Sequence, residues 1–509
     1  MGEDTLKKVE NATERLELEG ENIPPLATRA VRGGLWVTLS SCWVFGFGFA
    51  ANIVLTRILP TDAFGGFALA MFFDQLLMLQ PKLGLGFAFA HEKETTGDSL
   101  GTYFIMESLA ALCGVVLTLL AAPVLVYLGY PPLVAQVSVI LAIAAFAEGL
   151  MWIGGTLLEK ELQFTQTTLI QSITFPISYV PAFYLALQGG GIWSLVAQNL
   201  TYCVLFSAGV WLAVRKRLPR IWQIRWRFRP ELARRFLSFG VTVGLGLFGG
   251  MLLTQLDNFF IGTFVSLTVL GFYDRAYRIA QWPSNLLIGA ITRSVFYTYT
   301  RLQDDAVRLK KTASMVLWLI TTLALPLVLA IYVTAPDLIA FLYGDRWLPS
   351  ALFLRILVIY AVVRPLWDNA GTFFIATGKP KYTLKVVSIQ VLVLACTGLP
   401  LTLVWGAVGT CVAVGLAFAV GMVLIYRTVA LQIPVNLGKE FGIPALVSIL
   451  TLLGYFALRS LTGLNMLPLA TRVAAKGCYA VLAFFTLTLI FQPRATFERV
   501  RYIWRLLVL

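Results

Sequence analysis

Residues 256–283 read LDNFFIGTFVSLTVLGFYDRAYRIAQWP. Asp257, Asp274, Arg275 and Arg278 sit there inside otherwise apolar sequence, on either side of a short bend. The first part has an echo near the N-terminus. Residues 52–67 read NIVLTRILPTDAFGGF and residues 258–273 read NFFIGTFVSLTVLGFY, so that Asn52 and Asn258, and Gly65 and Gly271, coincide at an offset of 206. A hairpin that occurs twice, and carries internal charge only the second time, marks the second copy as the place to look for function.

Composition sets the class. The 509 residues are 58% hydrophobic and 13% charged, with a mean hydropathy of +0.79. A soluble domain has about a quarter of its residues charged. Apolar runs of about 20 residues mark membrane spans. Strand-type alternation is absent, so the spans are helices, which satisfy their own backbone polar groups in lipid. The expected fold class is an all-α polytopic membrane protein. A net charge of +14 in a soluble chain would suggest nucleic acid. Here the basic residues lie between apolar segments, as topogenic charge does, and no nucleic-acid partner is expected. Cys42, Cys113, Cys203, Cys396, Cys411 and Cys478 all fall in apolar segments without metal or redox spacing, and the single histidine, His91, is in a loop. No metal or cofactor is expected. The chain has no Walker A motif and no large polar loop with paired carboxylates, so the expectation is a protein that is not an enzyme.

Fourteen spans are expected, at roughly 35–56, 64–83, 103–127, 133–156, 165–187, 191–214, 237–262, 269–298, 312–335, 350–374, 382–404, 407–429, 441–460 and 471–491. Lys and Arg concentrate on one set of loops, leaving Arg57, Arg346, Arg459 and Arg472 on the other side. That asymmetry places both termini in the cytoplasm, in an inner membrane. The loop 215–236, which contains KRLPRIWQIRWRFRPELARR, has nine basic residues against one Glu. It reads as a topogenic linker or as a landing site for anionic membrane lipids. Residues 166–173 (QTTLIQSI) parallel 382–389 (YTLKVVSI), and 190–197 (GGIWSLVA) parallel 406–413 (GAVGTCVA), both at offset 216. Spans one to six thus repeat as seven to twelve in the same order, as in transporters built from two rocking lobes. The resulting division is 1–34 cytosolic tail, 35–214 N-lobe, 215–236 basic linker, 237–429 C-lobe, and 430–509 two further spans with a basic tail.

Ionisable groups inside spans are costly and usually face a cavity or a partner. The first lobe has Asp74, Glu107 and Glu148. The second has Asp257, Asp274, Arg275, Arg278, Arg293, Arg355, Arg364 and Asp368, and Lys476 lies near the start of the last span. Arg275 and Arg278 share a helix face, Asp274 is spaced to pair with Arg278, and Arg364 and Asp368 stand in the same i, i+4 relation. Asp257, at a depth similar to Arg275, is expected to neutralise one arginine and leave another free. These groups are either structural ion pairs or the lining of a cationic cavity; Arg293 and Arg355 also have the option of snorkelling. A guanidinium fork in a membrane suits phosphate, hence a phospholipid or a polyprenyl-phosphate-linked molecule. Phe272, Tyr273, Tyr277, Trp282, Tyr297, Tyr299 and Trp367 are candidates to stack on sugar rings, or serve as packing.

Beyond these readings the chain resembles a known family. RGGLWVTLSS (32–41), LTRILPTDAFGGFALA (55–70), LGLGFAFAHEKE (83–94), FGVTVGLGLFGGMLLTQLDNFFIG (239–262) and LGFYDRAYRIAQWP (270–283) look like the Wzx-type lipid-linked oligosaccharide flippases. These form the polysaccharide transporter branch of the multidrug/oligosaccharidyl-lipid/polysaccharide exporter superfamily, and the chain is most similar to the colanic-acid exporter subgroup. Family members typically end the segment after span two in a Gln-Arg-like pair, where His91 and Glu92 stand here. The resemblance implies a two-lobe transporter with a cationic cavity that moves an undecaprenyl-pyrophosphate-linked repeat unit to the outer leaflet. It implies substrate contact by Tyr273, Arg275, Tyr277 and Arg278, which match the motif after span seven. Asp74, Glu107 and Glu148 are candidates for coupling to protons or sodium. The alternative is an ion-coupled small-molecule exporter of the MATE type, which would favour an acidic cavity and leave the second-lobe arginines unexplained.

Overall fold

The computed structural model describes residues 26–92, 95–161, 163–219, 221, 227–303, 305–379, 381–433, 437–461, 466–493, 496–499 and 501. Side chains are described for these except 26–38, 80–81, 286–294, 297, 306, 437, 439 and 460–461. The expected tail 1–25 and much of the basic linker, with Trp222 and Trp226, lie outside the described residues.

Helices account for nearly all of the described chain. In order they are α1 (Leu26–Ile58), α2 (Thr61–Leu77), α3 (Gln80–Leu83), α4 (Leu85–His91), α5 (Gly97–Tyr127), α6 (Pro132–Lys160), α7 (Phe164–Leu187) and α8 (Ile192–Arg217). After the linker come α9 (Pro230–Phe264), α10 (Leu267–Ala280), α11 (Trp282–Leu302), α12 (Ala306–Tyr343), a 3-10 turn (Asp345–Trp347), α13 (Ser350–Tyr360), α14 (Val363–Ala376), α15 (Lys381–Gln432), α16 (Leu437–Leu461) and α17 (Leu469–Phe491). Starts are set by side-chain caps where the chain supplies them. Thr96 and Ser99 form a reciprocal capping box on α5, Ser266 accepts from Val269 N on α10, and Asp305 accepts from Arg308 N on α12.

Among the described residues eleven helical stretches are long and apolar enough to cross a membrane, α13 and α14 counting together as one, which makes the chain a multi-pass membrane protein. The expected fourteen spans divide differently for three local reasons. α15 carries two of them, folded back at Gly406, whose φ of 60° and ψ of −144° only glycine adopts readily. The second expected span, 64–83, is broken into α2 and α3, and the eighth into α10 and α11 at Gln281, where Pro283 follows. Gly191, heading α8, has nearly the same conformation as Gly406 (φ 52°, ψ −125°). The backbone therefore pairs Gly406 with Gly191, one residue from the expected partner Gly190.

Two lobes follow from the packing. α1, α2 and α5–α8 pack on one another in the first; α9–α15 do so in the second. α16 and α17 lie outside the repeat and pack on α12. Asp337 of α12 accepts from Arg472 Nη1 at 3.1 Å and from Lys476 Nζ at 2.6 Å, so an ionic cluster fixes α17 in place. Glu440 of α16 takes a two-pronged bond from Arg499 at 3.1 and 2.9 Å.

The lobes meet where the hairpin repeats. α2 packs along α10, and a methyl added at Gly65 would lie 1.8 Å from Leu267 O, while one at Gly271 would lie 2.0 Å from Thr61 O. Each glycine thus admits the carbonyl four residues before its counterpart. With little hydrophobic drive between helices in lipid, such close backbone approach is what brings them together. Below, the end of the molecule carrying these turns is the turn end, and the opposite end, where α8 leads into the basic segment, is the linker end.

Candidate functional site

The α9–α10 hairpin holds its charges in two layers. Asp257, 1% exposed near the end of α9, accepts from Tyr273 Oη at 2.5 Å and from Asn258 N at 2.9 Å. Among the described residues it pairs with no arginine, contrary to the expectation that it would neutralise one. Tyr273 is fully buried with its hydroxyl committed to that carboxylate. The arginine partner is Asp274. Arg275 donates to its Oδ2 from Nη2 at 2.6 Å and from Nε at 3.1 Å; Arg278 donates from Nε at 3.0 Å.

One carboxylate between two guanidinium groups leaves a net positive charge, and the geometry decides which arginine carries it. The Arg275 side chain is 3% exposed. Its Nη1 reaches Asn52 Oδ1 at 3.3 Å and Thr56 Oγ1 at 3.4 Å, and its guanidinium lies 4.2 Å from the Phe64 ring centre. All three belong to the first lobe, so Arg275 is a pin between lobes. Asn52 extends the network, donating to Tyr179 Oη at 3.0 Å. The Arg278 side chain, one turn further into the molecule, is 53% exposed and uses only Nε on Asp274. Its two Nη groups have no hydrogen-bond partner among the described residues.

The other expected residues are dispersed. Arg364 lines a small, half-open cleft inside the second lobe with Tyr277, Gln281, Ser284 and Tyr360. The cleft lies where two helices break, at Gln281 and at Ala361–Val362, and Ser284 Oγ donates to Ala361 O across it at 2.9 Å. The expected Arg364–Asp368 ion pair is not among the ion pairs of the described residues, although the two are partly exposed one turn apart. Arg355 faces α12, its guanidinium 5.8 Å from the Tyr332 ring centre. The side chains of Arg293 and Tyr297 lie outside the described residues. Tyr299 and Trp367 are buried core residues, Tyr299 donating to Asn369 Oδ1 at 3.2 Å. In the first lobe, Asp74 is buried, with Oδ1 lacking a partner, and close enough to Glu148 to feel its charge. Glu148 accepts from Trp152 Nε1 at 3.3 Å, and Glu107 is buried beside Tyr103.

Two further arginines, read from the sequence only as loop charges, close the turn end. Arg57, at the end of α1, donates to Leu342 O at 2.9 Å and Phe341 O at 2.6 Å, at the end of α12. Arg346 answers from the second lobe, donating to Thr56 O and Arg57 O at 3.0 Å and to Leu59 O at 2.8 Å. Trp347 Nε1 adds a bond to Thr56 O at 3.0 Å. Each arginine thus satisfies carbonyls left open at the C-terminus of a helix in the opposite lobe, where a cation is also favoured by the helix dipole. The sequence showed Arg57 and Arg346 only as charges outside the expected spans.

A two-lobe bundle of this kind, with an uncompensated cation between lobes, defines a polytopic helical transporter. Its relatives agree. Residues 54–352 match the polysaccharide biosynthesis protein family, and the chain belongs to that family. It is 26% identical over 345 residues to the succinoglycan biosynthesis transport protein ExoT of Rhizobium meliloti (strain 1021), covering 66% of this chain and 67% of that one. It is 21% identical over 362 residues to the lipopolysaccharide biosynthesis protein WzxC of Escherichia coli (strain K12), covering 71% and 72%. Among solved structures, the lipid II flippase MurJ in an inward closed conformation superposes with a TM-score of 0.73 at 13% identity, over 91% of this chain and 100% of that one, a likeness of fold.

Proposed function

We propose that this protein carries an undecaprenyl-pyrophosphate-linked oligosaccharide across the cytoplasmic membrane by alternating access, for the biosynthesis of a surface polysaccharide. The observation that supports this most directly is Arg278, a half-exposed guanidinium with both Nη groups unspent, held at one edge by Asp274. Such a fork matches phosphate oxygens in pairs and stays charged at every physiological pH. A diphosphate supplies the charge that this site lacks. Arg364 and Tyr277, in the neighbouring cleft, are assigned to the glycan side of the same ligand. Arg275, Tyr273 and Asp257 are assigned to holding the hairpin. The family and the names of the relatives support a glycan cargo.

In this reading the linker end and both termini are cytoplasmic, and the turn end faces outward. The lobes are 35–214 and 237–429, joined by the basic segment 215–236. Moving a lipid-linked sugar breaks no covalent bond, so no catalytic residue is assigned. Asp74, with Glu148 beside it, is assigned to the coupling ion, proton or sodium. That acidic pair is also what favours the second reading, an ion-coupled exporter of small molecules.

The test is complementation of a strain lacking its own flippase, with Arg278→Ala and Arg278→Lys compared at equal membrane level. Wild type restores surface polysaccharide, Arg278→Ala abolishes it, and Arg278→Lys recovers part. Full restoration by Arg278→Ala would remove that residue from the site. If lipid-linked glycan stays on the inner leaflet despite the wild-type chain, while resistance to small cations rises, the second reading replaces the first.

A further inference from the structure

α9 belongs to both lobes at once. Its C-terminal half is buried in the second lobe against α15, through Leu253, Asp257 and Phe260. Its N-terminal half packs on α3, α4 and α5 of the first. There a methyl at Gly244 would lie 1.7 Å from Lys82 O, and one at Gly240 would lie 2.2 Å from Leu83 O. Side chains continue the seam toward the linker. The His91 ring stacks on Phe239, with centres 5.4 Å apart and planes 8° from parallel. Glu92 pairs with Arg235, and Asp98 Oδ2 accepts from Arg229 Nε at 2.8 Å.

Between the two halves lies a run of glycines of another kind. A methyl at Gly249 would press on Val387 Cγ1 of α15 at 3.1 Å, whereas one at Gly250 would meet nothing within 4 Å and one at Gly246 would just touch Leu384 Cδ1 at 4.0 Å. Packing does not require Gly250 or Gly246 to be glycine. What glycine does there is weaken the helix and let it bend.

We propose that residues 230–245 of α9 are the moving closure of the linker end: a lever latched to the first lobe by Glu92–Arg235, Asp98–Arg229 and His91–Phe239, and hinged at Gly246–Gly250. The inference rests on the alternating-access reading above. The Arg235 and Glu92 side chains are 62% and 17% exposed, and those of Arg229 and Asp98 51% and 33%. Ion pairs exposed to this degree are weak and screened by salt. Salt is therefore expected to release the latch.

Spin labels at Ala90 and Ser238, exposed positions on α4 and α9, report the closure in the purified full-length chain without substrate. At low salt the wild type gives one short distance, and about 1 M salt, where screening reaches within about 3 Å, adds a longer one. Glu92→Arg produces the longer distance at low salt, and the swap Glu92→Arg with Arg235→Glu restores the short one. An unchanged distribution in Glu92→Arg, or a swap that fails to restore it, overturns the latch. Gly250→Ala keeps the short distance, loses the salt-induced opening and loses polysaccharide export. Normal opening in Gly250→Ala overturns the hinge. The distances need no cargo, so a wild-type chain that opens with salt yet moves no glycan would count against the flippase reading and leave the lever standing.

Discussion

Asp274 faces two arginines, and the way it divides itself between them separates structure from function. Arg275 takes two bonds and is sealed between lobes; Arg278 takes one edge of the carboxylate and keeps its Nη groups free. Replacing them should have opposite consequences. Arg275→Ala removes a buried partner and is expected to cost about 3 kcal/mol of stability. Arg278→Ala should stay within about 1 kcal/mol of wild type, as for exposed pairs, while export fails. Thermal unfolding in detergent, read beside complementation, checks both, and equal destabilisation by the two would sink the distinction. The sequence showed which residues carry charge and that Asp274 is spaced to reach Arg278. It could not show the partition, because Asn52, Thr56 and Phe64, which seal Arg275, are more than 200 positions away. Arg57 and Arg346 were hidden for a related reason: their partners are backbone carbonyls, which leave no residue-type signature.

At the scale of elements, hydropathy located the helices because a membrane span must be long and apolar, whatever it packs against. It did not find the breaks. Gln281 and the Met78–Leu79 junction fall inside the single expected spans 269–298 and 64–83, where a length criterion alone places no break. The repeat was legible through Gly65 and Gly271, since only glycine tolerates a carbonyl where a Cβ would be. The later repeat was misplaced by one because adjacent glycines at 190 and 191 look alike until φ is known. The α2–α10 contact predicts that Gly271→Ala forces the helices apart, costing about 1–3 kcal/mol as overpacking does. Unfolding in detergent checks this, and a variant as stable as wild type would show that the seam has slack. Gly246→Ala, with open space beside it, is expected to leave stability unchanged or raise it slightly.

At the scale of the molecule, each closure joins a packed seam to charge: Gly65, Gly271 and buried Arg275 at the turn end, Gly240, Gly244 and buried Phe236 beside half-exposed ion pairs at the linker end. α16 and α17 stand apart from both, held to α12 by Asp337 against Arg472 and Lys476. Asp337→Asn removes the carboxylate charge shared by Arg472 and the buried Lys476 and is expected to loosen α17 by about 3–5 kcal/mol. Hydrogen exchange would show it as faster exchange in α17 while α9–α15 keep their protection; unchanged exchange in α17 would show that packing alone holds it. The sequence placed Lys476 near a span start but did not suggest a partner, because Asp337 reads as an ordinary acid near the end of a long apolar helix.

The paired glycines at the turn end carry one more consequence. Gly65 meets the carbonyl of Leu267 and Gly271 meets that of Thr61, so each copy of the hairpin presents to the other the surface that it receives. This is the reciprocity of an isologous dimer, here written into one polypeptide. An ancestral half-length chain with this hairpin could have formed the same contact with an identical molecule, before fusion freed the two copies to diverge into an acidic half and a cationic one. The present-day chain should retain that property: residues 1–219 and 227–509, made as two separate polypeptides in one cell, are expected to find each other and reconstitute export.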